Sequence, residues 1–310
     1  MNPRLSPWPD LPLAAWQDTY DTLHMWTQIV GKIRMTLTPL INHYWNATLY
    51  VSARGLTTSA IPYPRGTFDM EFDFVGHQLV IRTSEGDTRT LELAPRTVAD
   101  FYSELMSTLA ALKIDVKIHA HPDEVPNPIP FAEDRVHKSY DRESVERFYR
   151  LLISVDKVLK DFRARFIGKC SPVHFFWGSF DLAVTRFSGR RAPPRSDSQY
   201  QEMMREAYSH EVSSAGFWPG SGEIKGPAFY SYTTPEPAGF KTYSVLPQAA
   251  SYHPGIGEFL LMYDDIRGAP APEVDLMNFL QTTYEAGANL AKWDRVALER
   301  APKNRAVTGG

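Results

Sequence analysis

The residues best equipped for chemistry gather between Ser171 and Gly220. His174 and Asp181 lie in the aromatic run Val173-His174-Phe175-Phe176-Trp177, and Glu206, His210 and Glu211 precede the segment Gly216-Phe217-Trp218-Pro219-Gly220. Polar groups set among core-forming rings need partners, because burying one alone costs about 2–7 kcal/mol. Two or three imidazoles with a carboxylate suit two chemistries. As metal ligands, His174, His210 and Glu206 would take Zn or non-haem Fe with positions left open for water or substrate, as in metal-dependent hydrolases and oxygenases. Without a metal, His174, His210 and Glu211 would move protons as acid and base. Against both stands a plain structural role, in which the histidines donate to backbone carbonyls and Glu211 pairs with a buried arginine. No His-Glu-x-x-His motif is present, and the spacing from 174 to 206–211 matches no familiar ligand signature.

Helical periodicity places these groups. Trp16, Tyr20, Leu23, Thr27 and Val30 step by three and four, which predicts a helix from Leu13 to Leu37 with Arg34 inside its apolar stripe and His24 at the edge. Val145, Phe148, Leu152, Val155, Leu159, Phe162 and Phe166 predict a second helix from Arg142 to Ile167, with Asp156 and Arg163 inside its stripe. A third, from Gln199 to Val212, would carry Glu211 in its apolar face and His210 beside it. Buried guanidiniums require a carboxylate or an anionic ligand, which makes Arg34, Arg163 and Arg186 candidate substrate anchors. Trp177, Phe217 and Trp218 are candidate walls of a cavity.

Between the helices, alternation predicts strands at Thr48–Arg54, Thr67–Phe74, Leu79–Thr83, Thr88–Leu93, Asp115–Ile118, Ala228–Thr233 and Glu258–Tyr263, a helix at Thr97–Leu112 and a last helix at Pro272–Leu298. Pro172, His174, Trp177, Leu182, Val184, Arg186 and Ser188 echo Pro39, His43, Trp45, Leu49, Val51, Arg54 and Thr57 to within one or two residues. The expected architecture is α+β: an arm (1–12), a helix–antiparallel sheet–helix half (13–118), a Pro-rich connector (119–141), a second such half (142–298) and a disordered tail (299–310). The halves would be an internal duplication packed about a pseudo-two-fold axis into one compact unit. His43 would then correspond to His174, and His24, His43 and Asp181 form a second tier of candidates.

The chain has 310 residues, enough for a sizeable core, and 43% hydrophobic with 22% charged residues is a globular composition. A net charge of −3 gives no bulk attraction to nucleic acid. No apolar run approaches a membrane span, and the first residues lack a signal-peptide core. The single cysteine, Cys170, excludes a disulfide framework and fits a reducing compartment, so a cytoplasmic location is expected. Neither a Gly-x-Ser-x-Gly elbow nor a phosphate-binding glycine loop occurs. The sequence therefore points to an enzyme acting on a small anionic or aromatic molecule; the rival is a non-catalytic binder whose arginines anchor the ligand.

The blocks Thr22–Arg34, Ser171–Arg190 and Glu206–Gly220 resemble those of a bacterial family catalogued as a domain of unknown function. The resemblance runs from Trp8 to about Leu298. It implies a single compact unit and carries no activity, cofactor or catalytic residue.

Overall fold

Helix α1 (Leu13–Leu37) has no solvent face along its middle, where every residue from Thr22 to Arg34 is buried. A helix enclosed all round is a core element to which the rest of the chain must attach. It ends where Thr38 turns both its N–H and its hydroxyl onto the Arg34 carbonyl and Pro39 bars continuation. The computed structural model describes residues 6–194 and 201–301.

After a 3-10 turn at Asn42–Ala47 the chain forms β1 (Tyr50–Val51), β2 (Gly55–Thr57), β3 (Ile61–Tyr63), β4 (Gly66–Asp73), β5 (Gln78–Thr83) and β6 (Thr88–Glu92), followed by α2 (Val98–Ala111) and α3 (Arg142–Ala164). Then come β7 (His174–Phe176), β8 (Asp181–Arg191), α4 (Gln201–Ala207), β9 (His210–Trp218), β10 (Ala228–Thr234), β11 (Ser251–His253) and β12 (Glu258–Met262). The short α5 (Tyr263–Arg267), α6 (Pro272–Leu290) and α7 (Arg295–Leu298) complete the described chain. All ladders among the described residues are antiparallel and form two sheets: β1-β2-β4-β5-β6, with β3 also on β4, and β11-β12-β10-β9-β8-β7. The fold is thus α+β. The sheets meet edge to edge, where Leu49 and Phe175 exchange backbone hydrogen bonds of 2.8 and 2.9 Å.

The period of two along a strand gives the second sheet two different faces. Phe175, Leu182, Val184, Ala215, Phe217, Phe229 and Leu261 belong to the main core shared with α1, α3 and α6. Ala183, Tyr230 and Leu260, flanked by Phe176, Trp218 and Tyr232, form a smaller cluster on the opposite face. Around α1, Trp26 stacks on Phe101 of α2 at 4.8 Å and Trp16 meets Phe148 of α3 at 5.2 Å. The arm is fastened by Trp8, whose indole N–H donates to Glu273 at 2.9 Å.

Three expected elements differ. Residues 115–118 join no ladder. The helix expected up to Val212 stops at Ala207, and the chain enters β9 at His210; the first two expected positions, 199 and 200, lie outside the described residues. Val212, Ser213 and Ser214 are weak helix formers, and their pairing with Phe187, Arg186 and Thr185 overrides the local periodicity. The last helix breaks at Ala291–Lys292, with Lys292 left-handed at φ 53, before the Asp294 side chain caps α7. Residues 302–310 of the expected tail lie outside the described residues. No helix among the described residues is long and apolar enough to cross a membrane.

Candidate functional site

His24, Gln28 and Lys32 stand one turn apart on α1 and share a face. Each is buried, and each fastens a segment of another element. Lys32, only 2% exposed, forms an ion pair with Asp123. The Gln28 amide grips the backbone of the same residue, donating to its carbonyl at 2.8 Å and accepting its N–H at 2.7 Å. The His24 Nε2–H donates to the carbonyls of Gly178 (2.8 Å) and Trp177 (3.0 Å), and burial drives its pKa down to about 4, so the ring is neutral. Helix α1 therefore pins the Pro-rich connector on one side and the β7–β8 turn on the other. Between them lies a cavity of about 480 Å³, lined among others by Tyr20, His24, Glu124, Ser179, Trp218 and Lys225.

Two acids line this cavity, Asp21 of α1 and Glu124, whose backbone is held left-handed at φ 57 next to the pinned Asp123. The outer side of the residue is exposed, but the carboxyl lies over Gly178, where an added Cβ would come within 2.7 Å of Oε1. Glycine is what permits this approach. Burial of the carboxyl, reinforced by the charges of Asp181 and Asp123, raises the Glu124 pKa to about 7.

Beneath it, Asp181 is 7% exposed and accepts two hydroxyl bonds, from Ser179 at 2.6 Å and from Tyr230. Burial raises its pKa, while both bonds favour the charged form. Tyr230 belongs to β10 and reaches β8 by crossing β9 at Gly216, its register partner; a Cβ there would sit 2.7 Å from the phenol oxygen. Tyr230 stacks on Tyr232 at 6.3 Å, and the Tyr232 and Tyr208 hydroxyls share a 2.9 Å bond. Burial holds the Tyr230 and Tyr232 pKa values well above the usual phenol range, so both remain hydrogen-bond donors. Glu258 on β12 also rises to about 7, through burial and then the Asp181 charge. A carboxyl titrating near neutrality can both give and take a proton, which is what a general acid–base catalyst needs.

The residues singled out from the sequence are divided between places. His24 and Trp218 border the recess, and Asp181 lies behind it, bonded to the lining residue Ser179. Trp177 is buried and donates its indole N–H to the Ala47 carbonyl, and Phe217 is core against Phe229. His43, Glu206 and His210 do come together, at the seam of the two sheets. The Glu206 carboxylate accepts the His43 backbone N–H at 3.1 Å, and the two imidazoles lie 5.9 Å apart. Neither His43 nitrogen is open to a metal: Nδ1–H donates to the Glu206 and Ala207 carbonyls, and Nε2 accepts from Lys169 at 2.6 Å.

His174 is fully buried against Trp45, Tyr50 and Phe176, and neither nitrogen is hydrogen-bonded. Burial, then Arg34 and Arg163, depresses its pKa to about 3. No group of three His, Cys, Asp or Glu side chains among the described residues is arranged to hold a metal ion, so the donor set expected for Zn or Fe does not fit. Glu211 is the second residue of β9 and takes the exposed Arg190 (2.7 Å) and Ser188 (2.9 Å), so its partner is not a buried arginine.

The three arginines do not converge. Arg34 donates to the Thr48 carbonyl, Arg163 to that of Ser171, both at 2.7 Å, and Arg186 to that of Phe162, with its guanidinium 3.4 Å from the Phe162 ring centre. Sequence reasoning missed Glu124 and Lys169, and offered Tyr230 only as one of several aromatics that could line a cavity. The available signal for Glu124 was on α1: a lysine and a glutamine on the buried face require polar partners, and His121-Pro122-Asp123-Glu124 supplies them.

The model of a family described as a family of unknown function (DUF5996) matches residues 8–300. No curated protein and no solved structure matches the chain.

Proposed function

The chain belongs to this family of unknown function, and we propose that it is an enzyme that transfers a proton to or from a small organic molecule held in the recess between α1, the connector and the β9–β10 loop. The observation that carries the proposal is the Glu124 carboxyl set over Gly178 at the wall of a 480 Å³ cavity, a position that raises its pKa. Glu124 is the acid and base. Burial, and after it the charge of Asp181, which Ser179 and Tyr230 fix in place, favours the protonated form of Glu124. Tyr20 and Trp218 provide aromatic walls, and Lys225 provides a positive charge for an anionic substituent. The ligand is thus small, with an aromatic or apolar body. We place the protein in the cytoplasm, where Cys170, its thiol pushed up to about 11 by burial, stays reduced and inert.

A small-molecule library screened by thermal shift tests the reading. Ligands that stabilise the wild type should lose their effect in Trp218→Ala, and their affinity should change across pH 7 in the wild type but not in Glu124→Gln. Ligands that bind equally well to all three proteins would place the site elsewhere. Binding without turnover in the wild type would favour the non-catalytic binder.

A further inference from the structure

Lys169 lies far from the recess, at the seam of the two sheets, and nothing in the acid–base reading uses it. Its backbone runs beside β8, with the Phe187 N–H donating to the Lys169 carbonyl at 3.0 Å. That path sends the side chain over two aromatic faces, the ammonium lying 5.0 Å from the Phe187 ring centre and 5.5 Å from that of Trp45. It ends 2.6 Å from Nε2 of His43. Among the described residues no carboxylate pairs with it, since the nearby Glu206 carboxylate takes the His43 backbone N–H.

His43 is oriented for this contact. Its Nδ1–H is committed to the Glu206 and Ala207 carbonyls, which leaves the Nε2 lone pair facing Lys169. The backbone keeps it there through two successive left-handed residues, His43 at φ 62 and Tyr44 at φ 58, a conformation non-glycine residues seldom adopt and that gathers at functional sites. An amine lying over two ring faces, with no carboxylate partner among the described residues and against an imidazole lone pair, has the setting of a nucleophilic lysine.

We propose that Lys169 is a reactive amine that captures an aromatic aldehyde or ketone as an imine, with His43 as the proton carrier. Nε2 of His43 takes a proton from the ammonium, and the freed Nζ pair attacks the carbonyl carbon, forming the N–C bond as the C=O π pair moves to oxygen. The oxygen takes back the proton held on His43 Nε2 and a second one from the attacking nitrogen, which regains its pair; the C–O bond then breaks, the oxygen leaves as water, and the nitrogen pair closes the C=N bond. The balance is ammonium plus carbonyl giving protonated imine plus one water, with no oxidant or reductant. The Trp45 and Phe187 faces that now hold the ammonium would hold the cationic imine and an aromatic substituent. Burial lowers the Lys169 pKa, in the direction that enlarges the free-amine fraction. The titratable and charged groups around it are His43 and Tyr44 on the 3-10 turn, Glu206 on α4, Arg191 on β8 and His210 on β9.

The test is reductive trapping of full-length protein with benzaldehyde and cyanoborohydride near neutral pH, read by peptide mass spectrometry at Lys169 and at Lys241, both exposed. Lys169 should be labelled faster than Lys241, in the direction that burial moves its amine. Its pH–rate curve should rise at lower pH than that of Lys241. His43→Gln should bring Lys169 to the Lys241 rate while leaving Lys241 unchanged. If that variant does not fold, the wild-type pH–rate curves decide alone. Labelling of Lys169 no faster than Lys241, or coincident pH–rate curves, overturns the proposal.

Discussion

Tyr230→Phe removes one oxygen and leaves the ring stacked on Tyr232 above Gly216. The lost hydroxyl is one of two that donate to the Asp181 carboxylate, which is 7% exposed and has little water to replace it. A hydrogen bond to a charged group contributes about 1.5–3 kcal/mol, and burial puts this one in the upper part of that range. The substitution also disfavours the charged form of Asp181, so its pKa rises further and its field on Glu124 and Glu258 weakens. Both glutamate pKa values should then fall from about 7. Urea unfolding reads the first effect as a lower midpoint at unchanged slope, and carboxyl NMR titration reads the second. A double-mutant cycle with Asp181→Asn isolates the pair. A loss below about 0.5 kcal/mol, within the usual range of surface substitutions, together with an unmoved Glu124 titration, would refute the role given to the Asp181–Tyr230 bond.

Gly216→Ala would set a Cβ 2.4 Å from the Leu182 carbonyl oxygen and should cost about 1–3 kcal/mol or more in overpacking, measured by the same unfolding assay. Lys32→Ala leaves Asp123 without its cation and should cost about 3–5 kcal/mol; hydrogen exchange should show the connector near Asp123 and Glu124 opening before the sheets do. On pH, Glu124 and Glu258 have folded pKa values above their unfolded ones, so the folded protein holds more protons and stability falls as pH rises towards and through 7. His24 and His174, depressed to about 4 and 3, act in the opposite sense: their contribution is present above the unfolded histidine pKa of about 6.5 and is lost on acidification. Thermal melts should therefore decline from pH 6.5 to 8, and the decline should lessen in Glu124→Gln and Glu258→Gln.

The long elements were legible because apolar periodicity survives tertiary context. Helix α1, α3 and the strands β4, β5 and β10 fall where alternation or three–four spacing placed them. The segment 199–212 was not legible, because its helical stripe of Met203, Met204 and Ala207 runs into residues that a neighbouring strand recruits, and strand pairing is a long-range fact. The same limit governed the site. His43, Glu206 and His210 were named from the sequence and do meet, but the lysine that contacts His43 was invisible as an ordinary charge in the segment between α3 and β7. Asp181 and Trp218 were singled out, while Glu124 looked like one more polar residue in a Pro-rich loop. What distinguishes it is long-range: Lys32 and Gln28 of α1 hold the neighbouring Asp123, and Gly178 of the β7–β8 turn leaves room for the Glu124 carboxyl. The duplication rests on the sequence echo alone; the shared helix–sheet–helix order is what that echo requires and does not by itself establish it.

The most direct measurement is the titration of the Glu124 side-chain carboxyl by carbon-detected NMR, its resonance assigned by its disappearance in Glu124→Gln. A midpoint close to 7 is the value the acid–base account requires. A midpoint at the ordinary glutamate value of about 4.3 would mean that the carboxyl is open to water and carries no proton at neutral pH, and the recess would lose its catalyst.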